Sequence, residues 1–229
     1  MTDRAETGRL AFDRTRQIAP QLLEHLRERI LSLDLGPGTT LSRPQLQKQF
    51  GLSQTPLRDA LLKLEEEGLV TIYPQYKTLV SLIDVEQARQ AHFMRRAIEV
   101  DAVRLLARER PAAAEALTRA NAALAETARA DDLTAFLLAD RAFHHVIFVE
   151  AGLLALWPII RRNSGNLDRL RRLNLPNVGM PKVIALHARV AEAIASGNAD
   201  AAGSAMHEHL SFTLAVLSRA REGYPGLVV

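Results

Sequence analysis

Four side chains frame the chemistry open to this sequence. Asp140 and His144, in "DRAFH", lie one helical turn apart on a single face beside Phe136, Phe143 and Ile147, so both project inward from the same helix. His187 shares a face with Val190, Ala191 and Ile194, and His209 shares one with Met206 and Leu210. A single histidine on an apolar face is most often a surface or satisfied core residue. Four acidic or imidazole groups on the inward faces of three helices are costly to bury one by one, and a shared divalent cation would satisfy them together. One carboxylate and three imidazoles suit zinc first, and also nickel, manganese or iron. His145 and His207 are left out, because neighbouring helical residues are rotated by about 100° and cannot point where His144 and His209 point. "HEHL" is not the H-E-x-x-H of zinc proteases, no G-x-S-x-G nucleophile motif is present, and there is no cysteine.

Positioning these groups requires a helical bundle. Helical patterns run over about 85–109, 112–129, 132–150, 153–173, 181–196 and 199–221, broken by Pro111, Asp131, Gly152, Pro176, Gly179 and Gly197. The chain is 48% hydrophobic but only 5% aromatic, and alanine and leucine run throughout this part, which favours helices over sheet. Asp84, with Gln87 at the third helical position, reads as a helix start. The expected organisation for 229 residues is therefore a small module over 1–83 and an all-helical domain over 84–229. Within the latter, arginines 161, 162, 169, 171 and 172 could contribute to anion binding, but such a run is more often a solvated helix face.

Bulk charge says little about partners. The net charge is +3, with 11 basic against 10 acidic residues in the first eighty and 18 against 16 in the rest. Any claim of nucleic-acid binding must rest on local geometry. Absence of cysteine fits a reducing compartment, "MTDRAETGRL" has no apolar signal core, and no apolar run reaches the ~18 residues of a membrane span. The expected location is cytoplasmic.

That local geometry is found near the start. Ile18, Leu22, Leu26, Ile30 and Leu33 mark a first helix over about 16–33, stopped by Gly36, Pro37 and Gly38. A second, about Arg43 to Phe50, ends at Gly51. A third carries Leu57, Ala60, Leu61 and Leu64 at i, i+3, i+4, i+7, with Ser53 placed to cap it through its side-chain oxygen, Pro56 in its first turn and Gly68 at its end. "LVTIYPQYKTLVSLI" then reads as two β-rich runs joined at Pro74 to Lys77. Three short helices and a hairpin make a winged helix-turn-helix, whose third helix enters the major groove. Gln54, Thr55 and Arg58 face outward on it. An ordinary helical hairpin with a solvated polar face has the same pattern.

The wording of the segment separates these readings. "ILSLDLGPGTTLSRPQLQKQFGLSQTPLRDALLKLEEEGLVTIYPQYKTLV" closely resembles, over about fifty residues without a gap, the DNA-binding domain of the GntR family of bacterial transcription regulators. The resemblance implies a DNA face drawn from Arg43, Ser53, Gln54, Thr55, Arg58 and Lys77. Gln54 stands where the family usually has arginine, and Lys77 where it usually has glycine at the hairpin tip. The remaining chain resembles the family's FCD ligand domain, an all-helical antiparallel bundle whose metal-binding members carry D-x-x-x-H and two later histidines. "DRAFH", "LHARVAEAI" and "MHEHL" fit, implying Asp140, His144, His187 and His209 as ligands, with Leu186 where a glutamate is usual. In "MRRAIEVDAVRLLA" the resemblance makes Arg95 and Glu99 the positions that meet an acidic effector. As a bare i, i+4 pair they are what many surface helices carry, worth ~0.3–0.5 kcal/mol. A cation held by one carboxylate and neutral imidazoles retains positive charge and open positions, which a small carboxylate would complete, with the Arg95 fork as second anchor.

The sequence thus points to an effector-responsive transcription regulator, a repressor in most such families and not an enzyme, that binds a palindromic operator as a homodimer. Its rival is a metal-dependent enzyme using the Asp/His site to activate water.

Overall fold

The computed structural model describes residues 12, 13, 15–217 and 223–229. The segment without a signal core, residues 1–11, and positions 218–221 of the last expected helix lie outside the described residues. The chain forms two compact units that divide between Leu82 and Ile83.

In the first unit, α1 (Ile18–Leu31), α2 (Arg43–Phe50) and α3 (Gln54–Glu66) precede an antiparallel hairpin of β1 (Val70–Tyr73) and β2 (Lys77–Val80). The periodicity of α1 and α3 buries Leu22, Leu26 and Ile30 against Leu57, Ala60, Leu61 and Leu64, with Leu46, Val70 and Val80 closing the core. α2 starts at Ser42, whose side chain accepts from the Gln45 N–H, and ends at Gly51, where φ of 64° suits a residue without Cβ. Arg27 of α1 donates from Nε to Glu67 at 2.7 Å and from Nη2 at 2.5 Å, tying α1 to the end of α3. Leu41 N–H donates to Thr78 at 2.8 Å and Val80 N–H to Thr39 at 2.9 Å, so the segment before α2 is fastened to β2.

Two local expectations are corrected here. Ser53 occupies the N-cap of α3 but its side chain makes no capping bond; α3 starts without it. Lys77 is not at the hairpin tip: it pairs with Tyr73 as the first residue of β2, and the left-handed residue of the turn is Gln75, at φ 57°.

The second unit runs α4 (Val85–Glu109), a 3-10 turn (Pro111–Ala113), α5 (Ala114–Arg129), α6 (Leu133–Glu150), a second 3-10 turn (Leu154–Leu156), α7 (Trp157–Asn163), α8 (Gly165–Val178), α9 (Met180–Ala195) and α10 (Ala199–Leu217). The side chain of Asp84 accepts from the Glu86 and Gln87 N–H groups and that of Asp132 from Ala135, which starts α4 and α6. Ala102, Val103 and Leu106 of α4 pack with Phe143 and Ile147 of α6, Val190 and Ile194 of α9 and Met206 and Leu210 of α10. Ile83 belongs to this unit: it is buried with Ala88, Ala91, Leu167 and Leu170, and exchanges backbone hydrogen bonds of 2.9 Å with Leu227 and Val229. The single helix expected over 153–173 is divided. Ser164 is buried and donates from Oγ to the Ile160 carbonyl at 2.7 Å, a competing local bond at which α7 ends and α8 begins. α8 then passes through Pro176, expected as a break, and stops at Gly179 with φ 83°. Among the described residues no helix is long and apolar enough to cross a membrane.

Candidate metal centre and nucleic-acid interface

Four helices of the second unit bring the chemistry-bearing residues together. α6 supplies Asp140 and His144, α9 supplies His187, α10 supplies His209, and α4 supplies Arg95 and Glu99; all six are buried. The His187 and His209 Nε2 atoms are 3.2 Å apart, as are those of His209 and His144. Asp140 Oδ1 is 3.7 Å from His187 Nε2. One ring nitrogen from each histidine lies within 4.8 Å of the others, a spacing that can hold a metal ion. Phe143 stacks on His187 with ring centroids 3.8 Å apart and an interplanar angle of 5°, which fixes that imidazole plane.

Surrounding groups set the protonation. His144 Nδ1 lies 2.5 Å from Glu99 Oε2. If Nδ1 donates there, Nε2 is left as the lone-pair atom facing the other two rings. Glu99 Oε1 accepts in turn from Arg95 Nε at 2.7 Å. Burial pushes Glu99 up, but Arg95 and His144 outweigh it and hold the carboxyl well below the usual range. Asp140 follows the same rule: burial raises it, and Arg171, whose Nη2 donates to Oδ2 at 2.7 Å, is the main cause of its net shift well below that range. Burial drives His187 and His209 well below 6.5, toward neutral imidazole. Asp140 Oδ1 and Nδ1 of His187 and His209 are buried without a hydrogen-bond partner. The converging atoms, Nε2 of the three histidines and the ionised Oδ1 of Asp140, are a donor set that fits a divalent cation of borderline softness.

Two earlier readings change. Arg95 and Glu99 are not a surface pair, since their side chains are only 7% and 0% exposed; breaking a buried pair costs about 3–5 kcal/mol, an order above its exposed counterpart. The arginine run is a solvated face only in part: Arg162 is exposed, and others are not. Arg169 is fully buried, its guanidinium pushed down to about 10 by burial, and it donates to Asn166 at 2.6 Å. Arg161 pairs with Asp168 at 3.2 Å and Arg171 with Asp140. Arg171 thus joins the cluster, which its place in an arginine run does not signal in the sequence. His145 packs on Trp157 at 5.0 Å and His207 lies near Ser211 at 3.5 Å, so neither joins the other three histidines.

In the first unit, Ser53, Gln54, Thr55 and Arg58 are exposed at the N-terminal half of α3, while Leu57, Ala60, Leu61 and Leu64 are buried. Lys77 is half-buried, its Nζ 5.3 Å from the Tyr73 ring centroid and 5.1 Å from that of Tyr76. Arg43, at the start of α2, lines with Tyr73, Tyr76 and Lys77 a shallow cleft of about 280 Å3 beside the hairpin. The exposed polar side chains of α3, and the Arg43 and Lys77 cations of the cleft beside the hairpin, are groups of the kind that meet bases and phosphates.

A winged helix-turn-helix joined to a helical bundle that buries an Asp/His cluster defines a two-domain DNA-binding regulator. Residues 18–80 match the model of bacterial regulatory proteins of the gntR family and residues 90–212 match the FCD domain. The chain is 34% identical over 204 residues to an HTH-type transcriptional regulator in an unstable DNA locus of Streptomyces ambofaciens, covering 88% of this chain and 86% of that protein. It is 28% identical to the HTH-type transcriptional repressor RspR of Escherichia coli, over 86% of this chain and 87% of that one. In fold it matches E. coli McbR/YncC, with TM-score 0.76 and 19% identity over 90% of this chain and 99% of that chain. The chain belongs to the GntR family of transcriptional regulators and carries an FCD domain.

Proposed function

We propose that this regulator is a homodimeric repressor whose binding to a palindromic operator is controlled by a small carboxylate at a metal centre in the second unit. The observation that carries the reading is the buried convergence of His144, His187, His209 and Asp140 beside the Arg95–Glu99 pair. When bound, the cation supplies positive charge and open coordination positions. Glu99 orients His144 from behind, as second-sphere carboxylates do for metal-bound imidazole. The only hydrogen bond that Arg95 makes among the described residues runs through Nε, so the Nη end of its fork is the part that meets an anion. RspR, and a relative from Paenarthrobacter nicotinovorans that is 24% identical over 92% of this chain and is named a probable D-xylose utilization operon repressor, support the sign of regulation. The relatives give no support to hydrolytic use of the same residues.

The test is linkage. Metal-loaded protein is titrated with its own upstream DNA, with and without a panel of small carboxylates, and the active acid is then titrated by calorimetry with and without that DNA. The acid is expected to change DNA affinity, and the DNA to change acid affinity by the same factor. Arg95→Ala should weaken the acid and leave DNA binding without acid unchanged. An acid that binds with equal affinity to free and DNA-bound protein would remove the coupling.

A further inference from the structure

Arg171 reaches the metal centre from α8, a helix that contributes none of the expected ligands. Its side chain is 13% exposed and makes one hydrogen bond among the described residues, from Nη2 to Oδ2 of Asp140. The other oxygen, Oδ1, is the one turned toward His187 and has no hydrogen-bond partner. A free carboxylate can take two coordination positions on a cation; one whose second oxygen is held by a guanidinium takes one. We propose that Arg171 is a positioning residue that commits Asp140 to the metal through Oδ1 alone, and so keeps a coordination position for the carboxylate of the effector.

The charge pattern agrees. Each buried carboxylate of the cluster is matched by one arginine, Glu99 by Arg95 and Asp140 by Arg171. A divalent cation therefore enters with both its charges uncompensated by the protein, and an incoming anion supplies the balance. Without Arg171 the Asp140 carboxylate would offset one of those charges from within the protein, and its freed Oδ2 would occupy the position the effector needs.

The inference rests on the metal reading, and the experiment separates the two. Full-length protein is loaded with Co2+, whose visible absorption weakens as coordination number rises, and is titrated with acetate as the probe carboxylate. Wild type is expected to show a strong band that changes on adding acetate. Arg171→Met should show a weakened band at the outset and no acetate response, while Arg171→Lys, which restores a cation to Oδ2, should recover both in part. In an Asp140→Asn background, Arg171→Met should leave the spectrum unchanged, because the arginine acts through Asp140. Circular dichroism checks that each variant is folded, and if the Met variant is not, Arg171→Gln carries the same comparison. Wild type that takes up no Co2+ overturns the metal reading together with this one. Co2+-loaded wild type and a folded Arg171→Met with identical spectra and acetate responses overturn the role of Arg171 alone.

Discussion

His187 and His209 are neutral imidazoles because burial leaves no water to solvate a charge, and this ties the stability of the second unit to pH. In the unfolded chain a histidine takes up its proton near pH ~6.5 and a carboxylate near ~4. In the folded chain four groups of the cluster, His187, His209, Glu99 and Asp140, take it up only at lower pH. The unfolded state therefore binds more protons as pH falls, and stability falls with it: first below ~6.5 through the histidines, then below ~4.5 through the carboxylates. For chelator-stripped protein the urea midpoint is expected to drop between pH 7.5 and 5.5, and a variant with His187→Leu should lose part of that dependence. A midpoint that stays level across this span would mean that the imidazoles are charged when folded. Metal should steepen the dependence further, since protons compete with it for the same nitrogens.

At the scale of elements, legibility followed punctuation. α2 was placed at about Arg43 to Phe50 because Gly51 marks its end, the Ser42 cap at its start being visible only in the structure, and the inward stripe of α3 was set by four apolar residues at helical spacing. The division of α7 from α8 carries no such mark: it turns on the hydroxyl of Ser164 bonding back to Ile160, which only tertiary burial makes worthwhile. Arg171 reads as surface in the sequence because nothing in an arginine run states which member meets a carboxylate thirty-one residues earlier. Asp140 and His144 were legible because they lie one turn apart on the same helix. α3 itself yields a prediction. Gln54 lies in its first exposed turn, where glutamine can pair with N6 and N7 of adenine and arginine would favour O6 and N7 of guanine. Gln54→Arg should move operator preference from adenine to guanine at one symmetric pair of positions, by ~1–3 kcal/mol per contact, with metal uptake unchanged. Selection of binding sites from a random pool by both proteins measures this; the same preferred sites from both would mean that Gln54 reads no base.

For the whole molecule, the division between Leu82 and Ile83 separates two kinds of work. The first unit has its own core of α1, α3 and the hairpin, and the second its own core of α4, α6, α9 and α10. A DNA-reading face of one short helix and a hairpin buries too little surface for strong specificity, since single modules lie at the lower end of protein–DNA interfaces. Pairing two copies through the proposed homodimer makes each site contribute, and the DNA must then offer two half-sites on one face of the duplex. The spacing is a geometric requirement and not a sequence one. Once the preferred palindrome has been selected, inserting about five base pairs at its centre should turn one half-site to the opposite face of the helix, and inserting about ten should return it. Affinity measured by gel shift is expected to fall with the first insertion toward that of a single half-site and to recover in part with the second. Equal affinity for all three DNAs would mean that the two reading heads act independently, so that an effector held in the second unit could not act by setting the distance between them.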